Sequence, residues 1–194
     1  ETKNALEVER RKEGIGRFLV LSIKESMSFS INWLNAFEAP TIHGYANNIG
    51  VKIFYEDLCS CEKPIATVLL INGSSESLLQ WPEIMVSTIL KNNFRVIKFD
   101  NRGVGMSDWI RNWSKSNSYN LNDMALDALA VTNHLKIDKF HLIGYSMGGM
   151  ISQILAINYP EKILSITSIM SSGYLFDPEA EMADSVKISQ LRKM

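Results

Sequence analysis

The sequence predicts an α/β fold: a mostly parallel sheet with helices on both faces. Three observations support this. Short, continuously apolar runs recur along the chain, as in strands covered on both faces. Helical patterns separate these runs, so successive strands can run in the same direction through crossover connections. An alternating pair of segments precedes them and indicates an antiparallel opening hairpin.

The predicted hairpin is the first regular element. Residues Thr41 to Ala46 and Val51 to Glu56 alternate in polarity, and Asn47-Asn48-Ile49-Gly50 joins them. Four later runs are predicted to form buried strands: Thr67 to Ile71, Phe94 to Phe99, Phe140 to Ile143, and Ile163 to Met170.

Helices are predicted between and after these strands. The first covers about Leu79 to Lys91 and the second about Leu121 to Leu135. Asn120 can cap the second helix, with Asp123 favourably placed for the helix dipole. A third helix follows Ser146 and ends near Tyr159-Pro160, because proline stops it.

Composition limits the classes of function. The chain has 194 residues, of which 46% are hydrophobic and 21% charged, enough for one domain with a sizeable core. A net charge of -1 without a long Lys/Arg block argues against nucleic acid or an anionic membrane as a partner. The apolar run Phe18 to Ile23 is too short to cross a bilayer and lacks a signal cleavage site, so a cytoplasmic location is expected.

The two cysteines, Cys59 and Cys61, lie in a loop without a surrounding His/Cys cluster. A zinc site needs about four suitably spaced ligands, so two loop thiols are favoured over metal ligation or a redox role. No metal and no organic cofactor is expected.

The run Gly144-Tyr145-Ser146-Met147-Gly148 connects a predicted strand to a predicted helix. Such a sharp turn exposes the serine hydroxyl, and glycines two positions on either side permit a backbone that side chains would block. The free N–H groups of the following helix would stabilise negative charge near Ser146. Ser146 is therefore the candidate covalent nucleophile, and an ordinary structural turn is the alternative.

Two further loops are expected at the same edge of the sheet as Ser146, where the parallel strands end. They are Asn72-Gly73-Ser74-Ser75-Glu76-Ser77 and the run from Asp100 to Asp108, Asp-Asn-Arg-Gly-Val-Gly-Met-Ser-Asp. Together with the Ser146 turn, over residues 41 to 173, they resemble the α/β-hydrolase fold family. Within that family, the combination is similar to methylesterases acting on aclacinomycin-like polyketides.

The resemblance implies a role for each matching position. Ser146 would be the nucleophile, and the backbone N–H groups of Met147 and Ser74 would form the oxyanion hole. Gly144 and Gly148 would be the elbow glycines. This chain has Asn72 where many relatives have histidine, which leaves the backbone donor intact.

Other polar residues have structural interpretations. The arginine and glycines of the Asp100 to Asp108 loop favour a rigid turn, with Arg102 bonded to nearby backbone or to a carboxylate. His43, His134 and His141 are expected to be packing or surface residues.

The resemblance also implies a catalytic acid, a catalytic histidine and further segments of the chain. Members of the family follow the order Ser, Asp or Glu, His, yet no histidine follows Ser146. We expect an N-terminal extension over residues 1–40, a partial hydrolase core over 41–173, and the start of a lid over 174–194. Met27 is a candidate natural start. Asp177 and Glu179 could supply the acid, although Asp177-Pro178 favours a helix cap.

These features lead to a serine hydrolase of small, apolar, ester-like substrates. Little ester turnover is expected from the 194 residues alone, because a serine without an imidazole is a poor nucleophile. Two alternatives stay open. One is a related acyl transferase, a haloperoxidase-like enzyme or a carbon–carbon bond hydrolase, and the other is a non-catalytic small-molecule binding protein with the same fold.

Overall fold

The computed structural model describes residues 18–20, 39–111, 114 and 118–172. In this part of the chain, seven strands and three α-helices form one mixed sheet with helices on both faces, as predicted. The strands are β1 (Phe18–Val20), β2 (Thr41–Asn48), β3 (Val51–Leu58), β4 (Thr67–Ile71), β5 (Arg95–Phe99), β6 (Phe140–Tyr145) and β7 (Ile163–Ile169). The helices are α1 (Glu83–Lys91), α2 (Leu121–His134) and α3 (Met147–Asn158).

The predicted hairpin is confirmed as β2 and β3, which pair antiparallel with Ala46 opposite Ile53. The turn between them is shorter than the predicted linker, because pairing continues to Asn48 and Val51. Ile49 and Gly50 form this turn with φ angles of 47° and 88°. Positive φ at both central residues matches the twist that two-residue hairpin turns require.

The sheet order is β1-β7-β6-β4-β5-β3-β2. Strands β5, β4, β6 and β7 are mutually parallel, whereas β3 pairs antiparallel with β5. Strand β4 lies between β5 and β6, so the chain adds β5 on one side of β4 and later adds β6 on the other side. The carboxyl ends of β4 and β6 are therefore neighbours, and the loops that follow these strands come together.

Two apolar clusters hold the helices on opposite faces. One packs α2 and α3 against the sheet and includes Leu69, Phe99, Phe140 and Ile151, all with no exposed area. The other packs α1 against Val68, Leu70 and Val96. All five residues of β4 are buried, as expected for a strand covered on both faces.

The first predicted helix differs from the observed one. A 3₁₀ turn covers Leu78–Gln80, the chain is extended at Trp81, and α1 begins only at Glu83. Pro82 accounts for the break, because a proline ring disfavours helical backbone in the residue before it. The Trp81-Pro82 pair in the sequence carried this signal.

The starts and ends of α2 and α3 follow the prediction. The Asn120 side chain accepts hydrogen bonds from the N–H groups of Asn122 and Asp123, and the Asp123 carboxylate accepts one from the Asn120 N–H. This reciprocal capping box satisfies N–H groups that a helix start leaves without partners. Helix α3 ends at Asn158, two residues before Pro160.

Strand β1 lies within the predicted N-terminal extension and pairs in parallel with β7, Phe18 opposite Ile166. The proposed boundaries of the extension, core and lid stay predictions. Met27, Asp177, Glu179 and the segment 174–194 lie outside the described residues.

Candidate functional site

Ser146 lies at the turn between β6 and α3 with φ 51° and ψ -118°. This backbone conformation is rare for a residue with a side chain and requires support from its surroundings. Two hydrogen bonds supply it: the Ser146 N–H donates to the Ile169 carbonyl at 2.9 Å, and its carbonyl accepts from the Gly149 N–H at 3.0 Å. The half-buried serine is thus fixed at the carboxyl end of the parallel strands.

The two elbow glycines allow this turn to pack closely. A Cβ at Gly144 would overlap the Gly148 carbonyl, and a Cβ at Gly148 would overlap the Ile71 carbonyl. Both obstacles are backbone, which cannot move aside as a flexible side chain can. The first turn of α3 therefore lies directly against the end of β4.

The loop after β4 reaches Ser146 through Gly73. A Cβ built on Gly73 would lie 3.2 Å from the Ser146 Cβ, so the two residues are in close proximity. Ser74 follows at once, and its N–H has no partner among the described residues. Met147 is the first residue of α3, so its N–H lacks an intrahelical acceptor. The structure thus brings the predicted donor residues to the two segments that meet at Ser146.

Asn72 is buried and anchors its loop. Its backbone carbonyl accepts a hydrogen bond from the Asn101 side chain at 3.2 Å, and its side-chain amide donates to the Glu76 backbone carbonyl at 3.5 Å. The Glu76 carboxylate in turn accepts from the Gly73 N–H at 3.3 Å. Glu76 has no predicted role, because its only signal in the sequence is a charged residue in a loop of small ones.

Asp100 links two of the three loops. Its carboxylate accepts from the Leu78 N–H at 2.7 Å and from the Met106 N–H at 2.8 Å. Ser107 closes the same loop by donating to the Asp100 carbonyl at 2.6 Å. Gly105 has φ 52° and leaves no room for a Cβ beside the Asp100 carboxylate. The loop is therefore a hydrogen-bonded turn in which Asp100 bonds to both sides, in line with the predicted structural role.

Arg102 has the carboxylate partner that the sequence predicted for it. It donates to both Asp127 carboxylate oxygens, and this pair is buried. Hydrogen bonding to Asp127 raises the pKa of Arg102, so its charge is retained. The Asn48 side chain also donates to Asp127, at 2.7 Å.

The three histidines lie elsewhere. His43 is exposed on β2 and stacks on Phe54. His134 is exposed at the end of α2, and its ring lies 5.7 Å from that of Tyr55. His141 lies in β6 with its Nδ1 2.8 Å from Ser165 Oγ. None of them bonds to Ser146, whose hydroxyl has no hydrogen-bond partner among the described residues.

Within the residues that the structure describes, no three His, Cys, Asp or Glu side chains are grouped so that they could hold a metal ion. Cys59 and Cys61 are free thiols in the loop after β3. No helix in the described ranges has the length and apolar character needed to cross a membrane. The expected cytoplasmic location stays a prediction.

Known proteins are similar to this chain in sequence. The chain is 31% identical over 122 residues to rhodomycin D methylesterase DnrP of Streptomyces peucetius, a match that covers 63% of this chain and 40% of that protein. It is 31% identical over 115 residues to 2-hydroxy-6-oxononadienedioate/2-hydroxy-6-oxononatrienedioate hydrolase of Escherichia coli O81 (strain ED1a), covering 58% of this chain and 38% of that protein. The chain thus spans about two-fifths of the length of these curated relatives.

A solved structure is similar to this chain in fold and in sequence. Est816, described as an N-acyl homoserine lactone degrading enzyme, superposes with a TM-score of 0.55 and 26% identity, covering 66% of this chain and 45% of that one. The model of the alpha/beta hydrolase fold family matches residues 66–192, well over half of the sequence. This chain belongs to the alpha/beta hydrolase fold family.

Proposed function

We propose that the protein is a serine hydrolase of carboxylic esters that works through an acyl-enzyme on Ser146. The observation that carries the proposal is the strained Ser146 turn packed against Gly73, with the start of α3 beside it. Backbone strain at a polar residue, held by surrounding hydrogen bonds, is a common property of functional sites. The relative named a methylesterase supports ester hydrolysis as the reaction.

In the proposed reaction, Ser146 Oγ attacks the ester carbonyl carbon and transfers its proton to a general base. The carbonyl oxygen becomes an oxyanion and accepts hydrogen bonds from the N–H groups of Met147 and Ser74. The positive end of the α3 dipole stabilises the same charge. The protonated base returns this proton to the leaving oxygen, so the carbon–oxygen bond breaks and the alcohol departs. Water, deprotonated by the same base, then attacks the acyl-enzyme, and the proton passes to Ser146 Oγ as the acid is released.

The base is proposed to come from outside the described residues. His43, His134 and His141 are all placed without a contact to Ser146. Family members supply this proton acceptor from a histidine late in the chain. The proposal therefore concerns the natural full-length protein, and its activity is tested there.

The test is covalent labelling of the natural full-length protein with a fluorophosphonate probe. We expect one adduct per molecule, located by peptide mass spectrometry on Ser146 and absent in Ser146→Ala. Ser87→Ala, a serine on α1 on the opposite face of the sheet from α3, is the matched control and should label normally. A folded protein that gains no adduct would favour the non-catalytic binding protein.

A second candidate is hydrolysis of a carbon–carbon bond. The relative named 2-hydroxy-6-oxononadienedioate/2-hydroxy-6-oxononatrienedioate hydrolase is as similar to this chain, at 31% identity, as the methylesterase. The two candidates differ in the bond broken. Turnover of a simple methyl ester with no cleavage of a vinylogous 1,5-diketone would decide for the esterase, and the reverse for the second candidate.

A further inference from the structure

The Glu76 carboxylate lies next to the candidate nucleophile. A Cβ built on Gly73 would lie 2.8 Å from Glu76 Oε2 and 3.2 Å from the Ser146 Cβ. Glu76 Oε2 and the Ser146 Cβ are therefore at most about 6 Å apart, the sum of these two distances. A half-buried negative charge therefore lies beside the position where an acyl group would bind.

The other charged groups of these loops are held by contacts away from Ser146. Asp100 is buried and accepts two backbone N–H bonds, whereas Arg102 is paired with Asp127. Asp108 accepts the Lys52 N–H on β3 at 2.8 Å, and Arg111 is exposed. In the described part of the chain, the Glu76 carboxylate accepts one hydrogen bond, from the Gly73 N–H, and pairs with no cation.

A single neutral donor does not cancel a full charge. Two like charges about 6 to 8 Å apart at a partly exposed site repel each other enough to change an equilibrium or rate about tenfold. A substrate carboxylate near the scissile carbonyl would experience this repulsion, and a substrate ammonium group would be attracted. The electrostatic field of the Glu76 carboxylate beside Ser146 thus discriminates between acyl groups by their charge.

We propose that Glu76 determines substrate charge, so that the site accepts esters with neutral or cationic acyl groups and rejects those with an anionic acyl group. The inference rests on the proposed function of Ser146. It narrows the substrate class of that site, and it predicts that removal of one charge alters selectivity while the hydrolytic machinery is kept.

The test compares two methyl esters that differ in one group, monomethyl succinate and methyl succinamate, on the natural full-length protein. Methanol release gives kcat/KM for each. We expect the neutral amide to be hydrolysed about tenfold more efficiently than the carboxylate at low salt. The ratio should fall towards one at high ionic strength, because salt screens partly exposed charges.

Glu76→Gln removes the charge but keeps an oxygen that can accept the Gly73 N–H, and it should abolish most of the preference. Glu76→Asp keeps the charge and should retain the preference. Glu62→Gln makes the same change of net charge in the exposed loop after β3, at the opposite edge of the sheet, and should leave the ratio unchanged.

The outcomes separate the two claims. Turnover that depends on Ser146, with a ratio that neither Glu76→Gln nor salt alters, would overturn the role of Glu76 and leave the esterase standing. No turnover of either ester, with or without Ser146, would overturn both. If Glu76→Gln does not fold, Glu76→Ala is the second neutral variant, and a ratio in it equal to that of the wild type would overturn the role of Glu76.

Discussion

Asp127 on α2 accepts two hydrogen bonds from Arg102, one from Nε at 2.6 Å and one from Nη2 at 2.7 Å. The pair joins the loop after β5 to a helix 25 positions further along the chain. A parallel, two-bond geometry of this kind is the strongest form of side-chain pairing and fixes orientation as well as distance.

Asp127→Asn should destabilise the fold by about 3 kcal/mol, because it leaves the buried Arg102 cation without its counter-charge. Urea unfolding measures the loss. Asp138→Asn, an exposed carboxylate shortly after α2, is the control and should change stability little. Equal, small effects of the two substitutions would show that the buried pair is not a structural tie.

Asp100→Asn should loosen the loops on either side of Ser146. The amide nitrogen of the variant cannot accept a hydrogen bond, so either the Leu78 N–H or the Met106 N–H loses its acceptor. Loss of the buried Leu78 bond costs about 1–3 kcal/mol. We expect lower stability in urea and lower kcat/KM for esters in the full-length protein. Asp108→Asn, at a less buried carboxylate, should have the smaller effect on both.

Gly148→Ala should disrupt the contact between α3 and β4. Its Cβ would overlap the carbonyls of Ile71 and Asn72, so α3 must move away from the strand. We expect destabilisation of about 2 kcal/mol or more in urea unfolding and loss of fluorophosphonate labelling at Ser146.

The control for that prediction is Gly50→Ala. Gly50 has φ 88° but open space around its Cβ position, so the variant carries only backbone strain, about 1 kcal/mol. Its labelling should be normal. A Gly148→Ala protein that labels as well as Gly50→Ala would contradict the close packing as a requirement of the site.

His141 should make stability depend on pH. Burial lowers the pKa of His141 below its usual 6.5, so the unfolded chain takes up this proton more readily. The contribution is therefore fully present above about pH 6.5 and is lost as pH falls through 6.5 towards the lower folded-state pKa. His141→Gln, which can still reach Ser165, should lose less stability than wild type between pH 7.5 and 5. Identical slopes of the urea midpoint with pH would refute this.

Local patterns predicted the elements that local forces determine. The hairpin, the positions of the later strands and the Asn120 cap with Asp123 were all readable from neighbouring residues. Burial was predicted less well, because only Ile166 of β7 is buried among the described residues. The predicted start of α1 was wrong because the apolar pattern runs through Trp81-Pro82. The proline at position 82 indicated the later start.

Contacts between distant segments could not be predicted. The sequence indicated that Arg102 needs a carboxylate or carbonyl partner but could not single out Asp127. The proximity of Glu76 to Ser146 depends on how closely Gly73 allows two loops to approach. A periodic pattern of apolar residues does not contain this information. At the site, residue types were predictable from the resemblance, whereas the local charge emerged only from the packing.

The central position of β4 has a consequence for how the protein forms. Thr67 pairs with Arg95 on one side and with Phe140 on the other, so the second pairing closes a much longer stretch of chain. Contacts between segments so far apart are entropically costly and form slowly. Gly73 and Ser146 meet across this long-range pairing, so a chain in which β4 and β6 have not yet paired carries the serine without these surroundings.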